Sequence, residues 1–572
     1  MTKKLLAAIL SVMMFATVFA GCSSNTTTSS NGTASETSET KKEDYVIDYL
    51  IPGAEDSKAM DNEVGKTIYE KFGIQINVIG YAGDWGEKCS AYLAASNYPD
   101  MLQLQSNEMV KQYISAGAAI QLDDLATQYA PNFLSFYKDS IPYWRNASDD
   151  GKLYKWTANT PDVEHATTPC FDMIVRSDIL EQQNWPELLN EDSYIAMLKK
   201  GLEDNPTTDG NDTLGFVIGG GDGWPLVDCM QQLGAKATYP EYPSSGIYAW
   251  DSVNEKYVDT TLDMPEYKLT WKFWNRMYRE GIIDPEMFTD TDAVAQEKMS
   301  SGTALSTYYM TWELADINAA LVNAGKEDMS YVVMPIMLQE QIDTKQQRVF
   351  SIIDSYDYQS VIITKNAKHP ERIMELVNWI CTDEGQNMIG WGIEGTHYTV
   401  GSDGKKAVTQ DYIDCKNGKK DKSFNLGVGT YYFMGLSSGF DKNGQVYNVS
   451  FDESIATLAM SDRTKEVYSH YGWTSVMDPW TKNSSFTSTE IHDGIFNSVA
   501  IDPDSDIKTT LTKITDYRSK MIPQFIMASS DEEFESIWNE YVEAYKTMNP
   551  ESVLEEVNKQ VDTAKKELAS LK

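Results

Sequence analysis

The sequence predicts an α/β protein of two lobes that ends in a helical extension. Three observations carry that expectation. The chain has 572 residues, 41% of them hydrophobic, which suffices for two cores rather than one. Residues 45–52, 58–72 and 74–80 run strand, helix, strand by periodicity, the parallel crossover unit that opens an α/β lobe. At the far end, residues 533–548 set Phe534, Ile537, Trp538, Tyr541 and Tyr545 on one helical face. Asn549 and Pro550 stop that helix and start another with Val553, Val557 and Val561 aligned, so both present docking faces.

The N-terminus says where the chain works. Lys3 and Lys4 precede an uncharged apolar run from Leu5 to Val18, too short to span a bilayer comfortably and closed by Ala20, Gly21 and Cys22. A charged start, an apolar centre and a small-residue end describe an export signal over residues 1–21. With Cys22 directly after Ala-Gly, it resembles a bacterial lipoprotein signal, in which that cysteine is lipidated and becomes the first mature residue. Two acyl chains anchor stably where one does not. Residues 22–43 then supply the lipidated cysteine and a tether rich in Ser, Thr, Asn and Glu, without aromatics, expected to be a disordered spacer. The expected location is the outer face of the cell membrane, with a soluble body beyond the tether.

Composition narrows the function classes. A net charge of -37 excludes nucleic acid as a partner, because phosphates need Lys and Arg. The 14 Trp and 33 Tyr exceed what a core of this size needs. Their faces suit the apolar faces of sugar rings, and their polar tips suit hydroxyls. Beyond Cys22, the cysteines at 89, 170, 229, 381 and 415 are scattered, odd in number and without a C-x-x-C pair. They predict neither a zinc site nor a disulfide framework, only small buried hydrophobes.

After the opening unit come a helix over 85–95, a strand beginning near Tyr98 to Leu102, and further lobe elements at 114–122 and 129–132. Residues 150–156 read as a hairpin, and 171–178 as a strand running into a helix. Taken together, Tyr92 to Ser96, Tyr98-Pro99-Asp100-Met101-Leu102, Ala116 to Leu122, Asp150-Gly151-Lys152-Leu153-Tyr154 and Ile174 to Asp178 resemble family 1 of the extracellular solute-binding proteins of ABC importers, the class that takes up sugars and oligosaccharides. The long form with a C-terminal extension is similar to the LipO-type lipoproteins and the alginate-binding proteins. Later segments agree: an amphipathic helix over 265–280 with Tyr267, Trp271, Trp274 and Tyr278, read as core; a small-residue strand from 301 into Met310-Thr311-Trp312; a crossing at 331–337; a strand at 361–364; a helix over 370–381; and Gly392 to Tyr398.

The resemblance implies a type II periplasmic-binding-protein-like fold, with ligand held between lobes that close about a multi-strand hinge. The expected boundaries are 44–164 for the first lobe, 165–332 for the second, 333–390 back in the first, and 391–572 for the rest of the second lobe with its extension. It implies a monomer that captures an oligosaccharide, releases it unchanged to the permease subunits, and needs no cofactor. The size of the chain favours an oligosaccharide over a monosaccharide. By position in the family pattern, Trp312 and Tyr309 are the first ligand candidates. Trp85, Trp224, Tyr356, Trp473 and Trp480 follow, with Asn107, Asp222 and Glu394 as partners for hydroxyls.

Other readings were weighed on the same residues. A surface polysaccharide lyase or hydrolase would share the anchor, acidity and aromatics, but no catalytic constellation occurs in the right context. Gly435 to Gly439 matches G-x-S-x-G yet runs into turn residues instead of a helix. Gly390 to Gly395 matches G-x-G-x-x-G but follows a helix and precedes a strand, the reverse of dinucleotide binding. Asn205, Thr207, Asp209 and Gly210 fit the start of a calcium loop, but Phe216 stands at position twelve, where a bidentate Glu is needed, and the acidic loop of the alginate-binding relatives is missing. The five histidines form no i, i+4 pair. A sugar-sensing subunit of a membrane kinase would use the same fold.

Overall fold

The computed structural model describes residues 43–571 except 53–55, 59–60, 82–84, 105, 146, 158–170, 236–245, 252, 353–359, 430–433, 436–438, 483–487, 493–498, 500 and 503. Cys22, the tether and Tyr356 therefore lie outside the described residues, as does the centre of the Gly435–Gly439 motif.

The first core forms around a six-stranded sheet. Tyr45–Pro52 pairs in parallel with Ile74–Tyr81 on one side and Met101–Leu104 on the other. The antiparallel strand Ser360–Ile363 adds next to Met101–Leu104, and Lys155–Thr157 adds beyond it. The crossover helix Glu63–Phe72 starts where the Asn62 side chain accepts the Gly65 amide at 2.8 Å and stops at Gly73, whose φ of 63° a side chain would resist. Alternating residues Ile47, Tyr49 and Ile51 pack on one face of this sheet while Leu50, Leu102 and Leu104 pack on the other. The expected hairpin at 150–156 does not form. The Asp150-Gly151 turn is present, but the residues before it are helical and the strand after it pairs with Ser360–Ile363.

A second core surrounds a three-stranded antiparallel sheet in which Phe171–Arg176 lies between Ser306–Met310 and Tyr331–Val333. Helix Pro265–Arg279 buries Tyr267, Trp271 and Trp274 here, as its stripe predicted. Helices Asp506–Met527, Asp531–Lys546 and Pro550–Leu571 close over it. Phe534, Trp538, Tyr541 and Tyr545 point inward, and the Asn275 amide donates to the Ile526 and Ala528 carbonyls at 3.0 and 2.7 Å. These aromatics are docking surface.

The chain passes between the two cores later than expected. Val333 to Leu338 still pack in the second core, and Val361 is back in the first. Trp391, Tyr412, Val428, Met434, Val449 and Ile455 complete the first core, whereas the second core resumes at Val467. These returns depend on which core a segment's apolar face meets, since apolar residues serve both. Two stretches, Arg348–Ile352 and Ser488–His492, pair in parallel. Lys508 and Glu108 join the cores by an ion pair at 2.9 Å. Gly392, with φ 81°, ends a helix before the strand Tyr398–Val400, as read for the G-x-G-x-x-G match. The described cysteines 89, 229, 381 and 415 are buried, as small hydrophobes would be. No helix among the described residues is long and apolar enough to cross a membrane.

The extension carries a titration. Asp259 is buried, caps the turn Thr260–Asp263 through the Thr261 and Leu262 amides, and accepts the Tyr545 hydroxyl at 2.7 Å. Burial pushes its carboxyl up to about 6, against the pull of those hydrogen bonds. The folded state thus holds this proton more tightly than the unfolded chain, where the group titrates near 3.9. Its contribution is present at pH 4 and is lost as pH rises through 6, a swing of about 3 kcal/mol at most. Asp259→Asn keeps a capping oxygen and removes the titration. The stability difference between wild type and D259N, from urea unfolding, is expected to move against wild type between pH 4 and 7; a pH-independent difference would contradict this.

Candidate functional site

Three consecutive glycines organise the best-built polar cluster. Gly219, Gly220 and Gly221 lie flat against residues 287–292. A Cβ on Gly219 would come within 2.5 Å of the Asp292 backbone, one on Gly220 within 2.6 Å of the Met287 carbonyl, and one on Gly221 within 2.6 Å of the Thr289 carbonyl. Only glycine permits this approach. The loop is thereby fixed, and Asp222 accepts the Asp292 amide at 2.6 Å. Asp292 opens helix Asp292–Ser300, so two carboxylates sit at a positive helix end.

Asp292 also accepts the Tyr309 hydroxyl, while the Gln296 amide donates to that hydroxyl at 3.2 Å. The Trp224 ring lies 6.3 Å from the Tyr309 ring, tilted by 43°. Tyr309 is cross-strand neighbour to Asp172, which accepts the Trp480 indole N–H at 2.7 Å. Trp224, Tyr309, Trp480, Met310, Leu314 and Met477 belong to one apolar cluster on this side of the sheet. Burial pushes the Asp292 carboxyl above its ordinary range, the nearby Asp222 charge adding to it, and burial with the Asp292 charge pushes the Tyr309 phenol up. The cluster offers a partly buried indole on a fixed loop, with carboxylate oxygens of the same loop and of the helix it caps as acceptors.

Of the sequence candidates, the structure gathers Trp224, Asp222, Tyr309 and Trp480 here. Trp312 is central in the adjoining 3-10 turn Thr311–Glu313, its side chain outside what is described. Tyr309 is 2% exposed and its hydroxyl is fully engaged, so it supports the loop rather than offering a ring face. Trp480 is likewise 2% exposed. Trp473 stacks on Tyr471 at 4.9 Å inside the second core. Trp85 is buried in the first, its indole N–H given to the Gln103 carbonyl at 3.1 Å. In these conformations Trp85, Trp473 and Trp480 offer no ring face to a ligand. Asn107 begins helix Asn107–Ser115 after the carboxyl end of strand Met101–Leu104 and accepts from the Lys155 ammonium at 2.5 Å. Its neighbour Glu108 makes the ion pair between the cores, so this helix start faces their junction. Glu394 is exposed on a loop packed with the first core. Sequence reasoning overlooked Asp292 and the glycines' purpose; the Gly-Gly-Gly-Asp run was the available signal.

Two acidic loops bear on metal. Residues 207–212 close as a tight hairpin that turns at Asp209 and Gly210, with φ 53° and 85°. Thr208 bonds Thr213 at 2.9 Å, and Asp209 pairs with Lys326. Elsewhere Asp284, Glu286 and Asp290 bring carboxylate oxygens within 4.8 Å of one another, but the Lys298 ammonium reaches all three, at 2.7, 3.2 and 2.5 Å. Those carboxylates hold the Lys298 charge on. Lys298→Met is expected to cost about 3 kcal/mol by leaving buried Asp284 unpaired. Millimolar calcium should restore part of that loss, since three carboxylates make a weak oxygen site. Melting curves of K298M with calcium and with EDTA check this, and a loss indifferent to calcium would count against it.

The sequence profile of the bacterial extracellular solute-binding proteins matches residues 63–398. Among curated proteins, the chain is 23% identical over 347 residues to the polygalacturonan/rhamnogalacturonan-binding protein YtcQ of Bacillus subtilis, covering 59% of this chain and 62% of that one. It is 22% identical over 273 residues to the fructooligosaccharide ABC transporter substrate-binding protein FusA of Streptococcus pneumoniae, covering 46% of this chain and 48% of that one. The chain thus matches about half to three-fifths of the length of these relatives. Among solved structures, the alginate-binding protein AlgQ2 without calcium superposes with a TM-score of 0.60 at 15% identity, over 91% of this chain and 98% of that one. FusA of S. pneumoniae in complex with kestose gives 0.60 at 14% identity, over 91% and 99%. At these identities the likeness establishes a shared fold.

Proposed function

The chain belongs to the bacterial extracellular solute-binding protein family, and we propose from that premise that it captures an oligosaccharide outside the cell for an ABC importer and hands it to the permease unchanged. The observation that carries the reading is the Trp224 face held beside Asp222 and Asp292 by the triple-glycine loop. An indole stacks on a pyranose or furanose face, and carboxylates accept sugar hydroxyls in charge-assisted hydrogen bonds. Trp312, next along the chain from this cluster, is the second stacking candidate, and Asn107 is the candidate from the first core. A ligand touching both cores favours the closed arrangement by its differential affinity for it. The relatives named for polygalacturonan and for fructooligosaccharides support saccharide as the ligand class.

Calorimetric titration with an oligosaccharide panel, followed by mass spectrometry of the recovered ligand, tests this. Saturable binding with every sugar recovered intact is expected. New reducing ends or unsaturated products would instead favour the surface-anchored lyase or hydrolase.

The anchor is part of the proposal. Cys22 follows Ala20 and Gly21 after the apolar run, and lipidation there would hold a monomeric body at the outer membrane face through the tether. Cys22→Ala is expected to leave the protein unlabelled by fatty acid and shift it from the membrane fraction to the medium. Retention with full labelling would contradict lipidation at this residue.

A further inference from the structure

The charges around the indole say which saccharides suit the site. Among the described residues, the charged groups tied into the cluster are carboxylates: Asp222 caps Asp292, Asp292 takes the Tyr309 hydroxyl, Asp172 takes the Trp480 indole, and Glu313 is close enough to act on the Tyr309 phenol. The neutral amide of Gln296 completes the hydrogen bonding. No Lys or Arg among the described residues is bonded to Asp222, Asp292 or Tyr309.

Among the described residues, the nearest cations along the chain are paired. Lys298, on the same helix as Asp292, is held by Asp284, Glu286 and Asp290. Lys482 is paired with Asp478 at 2.7 Å beside Trp480. Across the junction, Lys508 is paired with Glu108, and Lys155 is buried with Asn107 and Ser360 as partners.

Ionised carboxylates accept hydrogen bonds and donate none. They complement hydroxyl groups, which donate, and they repel another acceptor-only anion. We infer that the site takes uncharged oligosaccharides and rejects those bearing uronates, a specificity that rests on the saccharide reading above. Among the described residues, the bonds to Asp222, Asp292 and Tyr309 include no Arg fork or Lys of the kind a sugar carboxylate calls for. A uronate stacked on Trp224 would face these carboxylates, and like charges about 4–6 Å apart near a protein surface repel enough to weaken binding at least about a hundredfold.

The test is calorimetric titration of the mature chain with matched pairs of similar length: galacto-oligosaccharides against oligogalacturonates, and manno-oligosaccharides against oligomannuronates. Each pair is run at low and at high salt. We expect an uncharged member to bind with little salt dependence and its uronate partner to bind at least about a hundredfold more weakly, the gap narrowing at high salt as screening grows. Asp222→Asn keeps the oxygen that caps Asp292 and removes one charge; it should weaken the uncharged ligand, which loses a charge-assisted acceptor, and strengthen the uronate, so that the gap narrows further. Tight uronate binding that is lost in W224A would overturn the inference and leave the saccharide reading standing. Failure of every sugar, charged or not, to bind would bring down both.

Discussion

Replacing Trp224 with alanine is expected to weaken saccharide binding about thirtyfold, with a fall of only a few degrees in Tm. The indole is only partly buried; it packs against two apolar clusters of the second core, and the Tyr309 ring lies beside it. A central aromatic anchor contributes about 2 kcal/mol or more to a binding site, and each 1.4 kcal/mol is a factor of ten. The loop itself does not depend on the indole. Gly219 to Gly221 press on residues 287–292 and Asp222 caps Asp292 whatever follows at position 224. Trp224→Tyr, which keeps a flat ring, should recover much of the affinity. Titration of the three proteins with one uncharged ligand separates a stacking role from a packing role. Equal affinity in W224A and wild type would remove Trp224 from the site.

The largest stability effect is expected at Arg176. Its side chain is 1% exposed at the end of the central strand of the second sheet. The guanidinium grips Asp178 with two bonds, at 2.7 and 3.0 Å, and also donates to the Thr208 hydroxyl and the Gly302 carbonyl. One residue therefore ties the strand Phe171–Arg176 to the 207–213 hairpin and to the turn before strand Ser306–Met310. Arg176→Met leaves Asp178, Thr208 and the Gly302 carbonyl without that partner, and breaking such a buried pair costs about 3–5 kcal/mol. Arg176→Lys should recover little, because an ammonium cannot match the fork. Urea unfolding measures the loss directly. A change under about 1 kcal/mol in R176M would mean that the site is solvated, not sealed.

The strands and helices from 45 to 104 were legible because each has a clean period: alternation in Tyr45–Pro52 and Ile74–Tyr81, a 3.6-residue stripe between them, and Gly73 as stop. The last two helices, Asp531–Lys546 and Pro550–Leu571, were legible for the same reason. What failed was non-local. Lys155–Thr157 finds its partner in Ser360–Ile363, about two hundred residues on, and a turn signal at Asp150-Gly151 says nothing of that. The place where the chain returns to the second core, after Ile455 and before Val467, depends on which apolar surface a helix meets, not on the helix's own pattern.

The candidate site was half legible. A Trp following a Gly-rich loop, and a Tyr at the end of a small-residue strand, stood out. Trp85, Trp473 and Trp480 looked equivalent on paper, and only packing distinguishes an indole buried beside Tyr471 or Asp172 from one at the surface. Asp292 was invisible because its role comes from a hydrogen bond to Tyr309, seventeen residues away, and from a loop seventy residues before it.

The most direct measurement is hydrogen exchange of the mature chain with and without a saturating uncharged oligosaccharide that raises Tm. Ligand at a hundred times its Kd adds about 2.7 kcal/mol of stability, so global slowing is expected and local differences carry the information. The account predicts the strongest added protection over residues 219–224, the start of helix Asp292–Ser300 and the stretch 309–314. Protection concentrated on the helices beyond Asp506, with none around Trp224 and Asp292, would contradict it.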